Sequence, residues 1–275
     1  MTRGKWLTYI LLIILVLFSL APFLWEMSTS FKGRDEVMQL PQSALPQEAT
    51  AENYVGIFER RPFGRYILNS ILVASASTVL ALFAGGLAAY SVSQVKKVWR
   101  APLMLLFLLP GILPPILFLV PIYIFFSSLH LTNTYAGLIL VHGAFHVSIV
   151  FWVLVNFFER FPRDLVDAAR VDGYSHLGAF FRVVLPLATP VAVTAGLLAF
   201  IFSWNEFLFA LQLVSRDELR VATVGISMLS GASIYEIPWG QIAAAVVITS
   251  LPVIAAVLIF QRKIVSGLTA GAVKE

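Results

Sequence analysis

Six stretches of this chain contain no Asp, Glu, Lys or Arg: residues 6–25, 66–95, 101–129, 131–158, 183–205 and 237–261. Each reaches the roughly 20 residues that an α-helix needs to cross about 30 Å of hydrocarbon. A membrane β-barrel would show shorter segments alternating apolar and polar side chains. Unbroken runs predict a helical bundle instead. Composition agrees, since 59% of the 275 residues are hydrophobic and only 12% are charged. That leaves too little polar surface to coat a soluble globule, and it excludes an ordinary soluble enzyme or a disordered chain. With no cysteine, neither a disulfide framework nor a thiolate metal site is possible. The expectation is an all-α polytopic membrane protein with six transmembrane helices in a single domain over 1–275.

Only His130 parts the third run from the fourth, and Leu131, Thr132, Asn133 and Thr134 supply turn residues there. The fifth is expected to run on past Glu206 to 213. The first follows Arg3 and Lys5, is too long for a signal h-region and lacks a small-residue cleavage site, so it reads as a retained helix. With the N-terminus inside, 12 of the 19 Lys and Arg fall on the cytoplasmic side, and Lys96, Lys97, Arg262 and Lys263 sit directly at run ends. Both termini are therefore predicted to be cytoplasmic. The inner side then carries a net charge of +7 and the outer side −3, so the formal +4 is a separation of charge by side. Outside lie 27–65, expected as a solvated loop with a short helix near 52–58, then the turn at 130–134, then 212–236.

The one long polar internal segment is 159–182. Pro162 and Asp164 are helix-start residues, Leu165, Ala168, Ala169 and Asp172 follow at helical spacing, and Gly173 supplies the stop. Ser175 is placed to cap a second short helix leading through Phe180, Phe181 and Arg182 into the fifth run. The spacing predicts a helix–Gly–helix elbow whose small residues admit another backbone. A plain connection would serve to turn the chain, but 24 residues are more than a turn requires.

Asp167-Ala168-Ala169, then Asp172-Gly173, then nine residues and Val183-x-Leu185-Pro186, resembles the EAA loop of ABC importer permeases. The segment from Ser203-Trp204-Asn205-Glu206 to Ala210 and the ending from Phe260 to Lys274 are similar to the carbohydrate-uptake class. More narrowly, they resemble the second permease subunit of maltose-type importers. One departure is Asp167 where the motif usually has Glu, which keeps the charge on a shorter arm. The resemblance implies a multi-pass protein of a bacterial or archaeal cytoplasmic membrane. Its expected partners are a second homologous permease subunit, two cytoplasmic ABC ATPase subunits and an extracytoplasmic solute-binding protein. Asp167, Ala168, Ala169, Asp172, Gly173, Leu185 and Pro186 would couple it to the ATPases over 164–186. The chain has no G-x-x-x-x-G-K-[ST] phosphate loop, so no cofactor is expected in it, and ATP and Mg would be bound by the partner ATPase subunits.

Glu206 is the one acid within an apolar segment, and on lipid it would cost roughly 2.5–3.5 kcal/mol. Two readings of Ser203, Trp204, Asn205 and Glu206 stand: part of a sugar path, or a polar clasp between subunits. His142 and His146 share a helix face but lack the Glu of H-E-x-x-H, so packed or cavity-facing histidines are expected rather than a zinc site. Pro110, Gly111, Pro114, Pro115 and Pro121 predict kinks in the third run. Small residues at Gly85, Gly86, Ala88 and Ala89, and at Ala243 to Ala245, predict close helix packing. In the last external segment, Gly225, Met228, Gly231 and Tyr235 are candidates for contact with the binding protein. The competing function is a stand-alone secondary transporter of a small polar solute, which predicts ion coupling and internal repeats, and no repeat is visible.

Overall fold

The computed structural model describes residues 3–229 and 237–269. The helices are, in chain order, α1 (Arg3–Ser30), α2 (Arg34–Met38), α3 (Glu52–Arg60), α4 (Phe63–Gln94), α5 (Lys97–Ile112), α6 (Leu119–Ser128) and α7 (Tyr135–Glu159). They continue with α8 (Arg163–Val171), α9 (His176–Ala179), α10 (Leu185–Trp204), α11 (Leu208–Leu213), α12 (Ala222–Ser227) and α13 (Trp239–Thr269). Among the described residues there is no strand. Five helices are long and apolar enough to cross a membrane: α1, α4, α7, the continuous stretch from α9 through α10, and α13. A helix satisfies its own backbone hydrogen bonds, which hydrocarbon cannot do for it.

The third apolar run departs from the expectation of one helix. It is a bent pair, α5 and α6, joined through a 3₁₀ turn at Pro115–Phe118 and inclined at 92°. Proline is the cause. Leu113, standing before Pro114, is pushed to the extended conformation at φ −77° and ψ 141°, and Pro115 has no N–H to continue the ladder. The fifth run is also corrected: α10 stops at Trp204, residues 205–207 are not helical, and α11 starts afresh at Leu208. Asn205 Nδ2 donates to the Ile201 carbonyl at 2.8 Å, closing the end of α10.

Two compact units divide the chain, Met1–Ile67 with Val224–Leu251 and Leu68–Thr223 with Pro252–Glu275. In the first, Ile57, Phe63, Tyr66, Ala244 and Ala245 form the core. The 27–65 segment is better ordered than a solvated loop. Lys32 is buried, with its ammonium over the Trp25 ring at 4.8 Å and donating to the Ser43 carbonyl. Asn53 Nδ2 donates to the carbonyls of Ser30 and Lys32 at 3.0 and 2.8 Å, tying α3 to the end of α1. Residues 6–22 of α1 are exposed throughout, an apolar surface suited to lipid or another membrane chain.

The second unit packs α4, α5, α7 and α10 around Ala81, Ala89, Val150, Phe151, Leu154, Val155, Ala188 and Ala195. Lipid supplies little hydrophobic drive between helices, so close van der Waals contact must hold them. Glycine permits it: a Cβ on Gly143 would lie 2.5 Å from Leu80 Cδ2, and one on Gly85 would lie 2.9 Å from Val150 Cγ1. The ends of the unit are chemically distinct. At one, Asn133 Oδ1 accepts from the backbone N–H of Ser215 and Arg216 at 2.8 and 2.9 Å, and Asn69 Nδ2 donates to the Glu218 and Arg220 carbonyls. At the other, Arg100 pairs with Glu159 at 3.6 Å, and the segment 159–182 follows directly.

Candidate functional site

Two features of the second unit carry chemistry. The first is the segment after α7. Helix α8 ends in a glycine stop: the Gly173 N–H donates to the Arg170 carbonyl at 3.1 Å, the Tyr174 N–H donates to the Ala169 carbonyl at 3.1 Å, and Gly173 has φ +88°. That left-handed conformation is costly for any residue with a Cβ. Ser175 Oγ then accepts from the Gly178 N–H at 3.1 Å and caps α9. A π-helical turn, Phe180–Val184, joins α9 to α10, where Leu185 and Pro186 open the membrane helix.

Burial along this elbow is uneven. Ala169, Ala179, Phe180 and Val184 are buried, whereas Asp167, Ala168, Asp172 and Gly173 are exposed. Leu165, Leu177 and Val171 are exposed as well, Val171 at 88%. Arg182 lies over the Tyr174 ring at 5.2 Å and holds it in place. The result is a surface of exposed apolar side chains with mixed charge, Asp164, Asp167 and Asp172 beside Arg170 and Arg182, following directly on the end of α7.

The second feature is a cavity of about 610 Å³ between the end of α5 with the turn that follows it, α7 and the break after α10. Its walls include Phe145, Ile149, Trp152, Phe202 and Phe207, and its polar lining is His142, His146, Ser148, Asn205 and Glu206. Among the described residues, no Lys or Arg lines it. Glu206 is held from several sides. Its Oε1 accepts from the Phe209 N–H at 2.8 Å and its Oε2 from the Ala210 N–H at 3.0 Å, so the carboxylate caps α11. Open N–H groups and the positive end of the helix dipole favour an anion there. His142 Nε2 stands 3.1 Å from Glu206 Oε2, within ion-pair distance but not aligned for a hydrogen bond. His142 Nδ1 is 2.9 Å from Ser203 Oγ, which is 2.9 Å from Ser77 Oγ. A buried polar chain thus runs from α4 through α10 to α7 and the break.

The structure separates the four residues of the candidate path. Asn205 and Glu206 line the cavity. Ser203 is buried in the polar chain behind it, and Trp204 is buried and stacked on Phe200 at 5.8 Å, so neither faces the cavity. His142 and His146 line the cavity, in line with the expectation of packed or cavity-facing histidines, whereas Ser148 was not among the candidates. Their signal was a polar subset on one region of α7 flanked by Phe145 and Trp152. Of the outer candidates, Gly225 is a packing residue in α12, where a Cβ would lie 2.3 Å from Tyr66 Cδ2. Met228 is half-buried, and Gly231 and Tyr235 lie outside the described residues.

Residues 77–269 match the family described as binding-protein-dependent transport system inner membrane component. Among curated proteins, the sulfoquinovosyl glycerol transport system permease protein SmoH of Agrobacterium fabrum is 38% identical over 98% of this chain and 94% of its own. The trehalose transport system permease protein SugB of Mycobacterium tuberculosis is also 38% identical, over 94% of this chain and 93% of its own. A crystal structure of a bacterial ABC transporter involved in import of the acidic polysaccharide alginate contains a chain of the same fold. Its TM-score is 0.75 at 21% identity, covering 95% of this chain and 98% of that one. With several membrane-length helices and this match over most of its length, the chain is a multi-pass inner-membrane permease belonging to the binding-protein-dependent transport system inner membrane component family.

Proposed function

We propose that this chain forms half of the translocation pathway of an ATP-driven importer for a neutral sugar or sugar-like solute, delivered by an extracytoplasmic binding protein. The observation that carries the reading is the elbow over 163–184: a short amphipathic helix, stopped by a left-handed Gly173, with Leu165 and Val171 exposed beside Asp167 and Asp172. Such a surface is suited to a cleft on another chain. Seated on a cytoplasmic ATPase subunit, it carries nucleotide-driven closure into α10 through Leu185 and Pro186 as a rigid-body movement. A second permease subunit supplies the other half of the pathway. ATP and Mg belong to two partner ATPase subunits, because this chain has no phosphate loop.

Sidedness follows from charge. The end bearing Arg100, Glu159 and the elbow carries the basic loops, so it is cytoplasmic and both termini lie with it. The opposite end, at Asn133 and Ser215, faces outward. The contact with the binding protein is assigned, by resemblance alone, to the outer segment 223–237 with Met228, Gly231 and Tyr235. The cavity supports a neutral solute, since a sulfonate or phosphate would meet Glu206 without any Lys or Arg beside it.

The test is reconstitution of the chain with its second permease, ATPases and binding protein in vesicles. ATP-dependent uptake of trehalose is expected to exceed that of sulfoquinovosyl glycerol. Uptake driven by an ion gradient without ATP would overturn the reading in favour of a secondary transporter.

A further inference from the structure

The polar wall of the cavity is incompletely bonded. His146 Nδ1 and Ser148 Oγ are buried without a hydrogen-bond partner, and both residues line the cavity. Each is held in place by packing. The His146 ring is stacked on Phe202, 6.2 Å away and 13° from parallel, and lies edge-on to His142. Ser148 is clamped by α5, because a Cβ on Gly111 would lie 2.9 Å from Ser148 Cβ. An unpaired buried polar atom is expensive enough to require an explanation. Here the two stand in a cavity of about 610 Å³, within the range that holds small ligands.

From these observations we infer that the cavity is a subsite for one sugar ring on this subunit, in which His146 Nδ1 and Ser148 Oγ hydrogen-bond ring hydroxyl groups. The inference rests on the importer reading above and adds the residues that select the solute. A hydroxyl both donates and accepts, so it satisfies either imidazole tautomer and either setting of the serine proton. Trp152 and Phe202 line the same cavity and supply apolar surface for the C–H groups of a ring. Glu206 is occupied as the cap of α11 and as the neighbour of His142, so it orients the wall rather than binding the solute.

The absence of native cysteine makes the test clean. In the reconstituted complex, Ser148→Cys is treated with a thiol reagent in the presence and absence of trehalose delivered by the binding protein. Labelling is expected to slow about tenfold with trehalose. Ile149→Cys, on the same wall and without a hydrogen-bonding role, repeats the measurement should the serine variant fail to assemble. Separately, Ser148→Ala and His146→Phe are expected to reduce an approximately tenfold preference for trehalose over its monodeoxy analogues to about twofold or less. That ratio does not move with the amount of folded complex. Labelling indifferent to trehalose while uptake proceeds, with the preference intact in both variants, overturns the subsite and leaves the importer reading standing. Failure of the unaltered complex to take up any neutral sugar overturns both.

Discussion

The elbow and the cavity wall belong to the same unit of the molecule but are held by opposite means. The elbow is fixed by local chemistry: one glycine at φ +88°, one serine cap and a few buried residues at its base, with much of its apolar surface left exposed. The wall is fixed by long-range chemistry, in which Ser77, Ser203 and His142 are hydrogen-bonded across elements distant in sequence and Glu206 stands 3.1 Å from His142. The difference teaches what each is for. On the proposed reading, the exposed leucine and valine are the surface that a partner protein covers, and the cross-braced wall is the one that a small ligand meets.

The comparison breaks first at Gly173. Gly173→Val places a β-branched side chain in a left-handed conformation, while a Cβ there meets nothing within 4 Å. The strain is therefore conformational. ATP-dependent uptake is expected to fall more than tenfold while the chain inserts normally, as measured by uptake beside membrane abundance. Glu206→Ala strikes the wall instead. It removes the acceptor of two backbone N–H groups and the neighbour of His142, a loss of about 3 kcal/mol, read as lower thermal stability of the purified complex. Glu206→Gln keeps an acceptor and is expected to lose less than half as much. Gly143→Ala forces a Cβ to 2.5 Å from Leu80 Cδ2 and is expected to cost about 1–3 kcal/mol by overpacking, with the elbow unaffected. Smallest is Ser175→Ala, which deletes the cap of α9 for about 1 kcal/mol and is expected to weaken ATPase retention on co-purification without changing solute preference.

The same contrast explains what could be read in the one-dimensional chain. The elbow lies within consecutive residues, so Asp164, Gly173 and Ser175 announce its turns in order. The apolar runs give the membrane helices because length and lack of charge suffice. Prolines in the third run marked a disturbance, but not the 92° bend, which depends on both Leu113 and Pro114 leaving helical geometry. The break after Trp204 stayed hidden for a physical reason. Glutamate is not among the usual capping residues, and the largely apolar stretches up to Phe202 and from Phe207 read as one continuous helix. The cavity was hidden because its lining comes from three separated stretches, residues 108–115, 142–152 and 202–209, and no local spacing brings them together.

The central claim is that the elbow is the mechanical link between an ATPase and this membrane chain. Ala168→Cys places a single thiol on the exposed surface of α8 in a chain without other cysteines. Cross-linking it in the assembled transporter, with and without ATP, tests the link directly. A covalent product with the ATPase subunit, its yield changing with nucleotide, is the predicted result. A complex that takes up solute on ATP yet gives no ATPase cross-link in either state would contradict it.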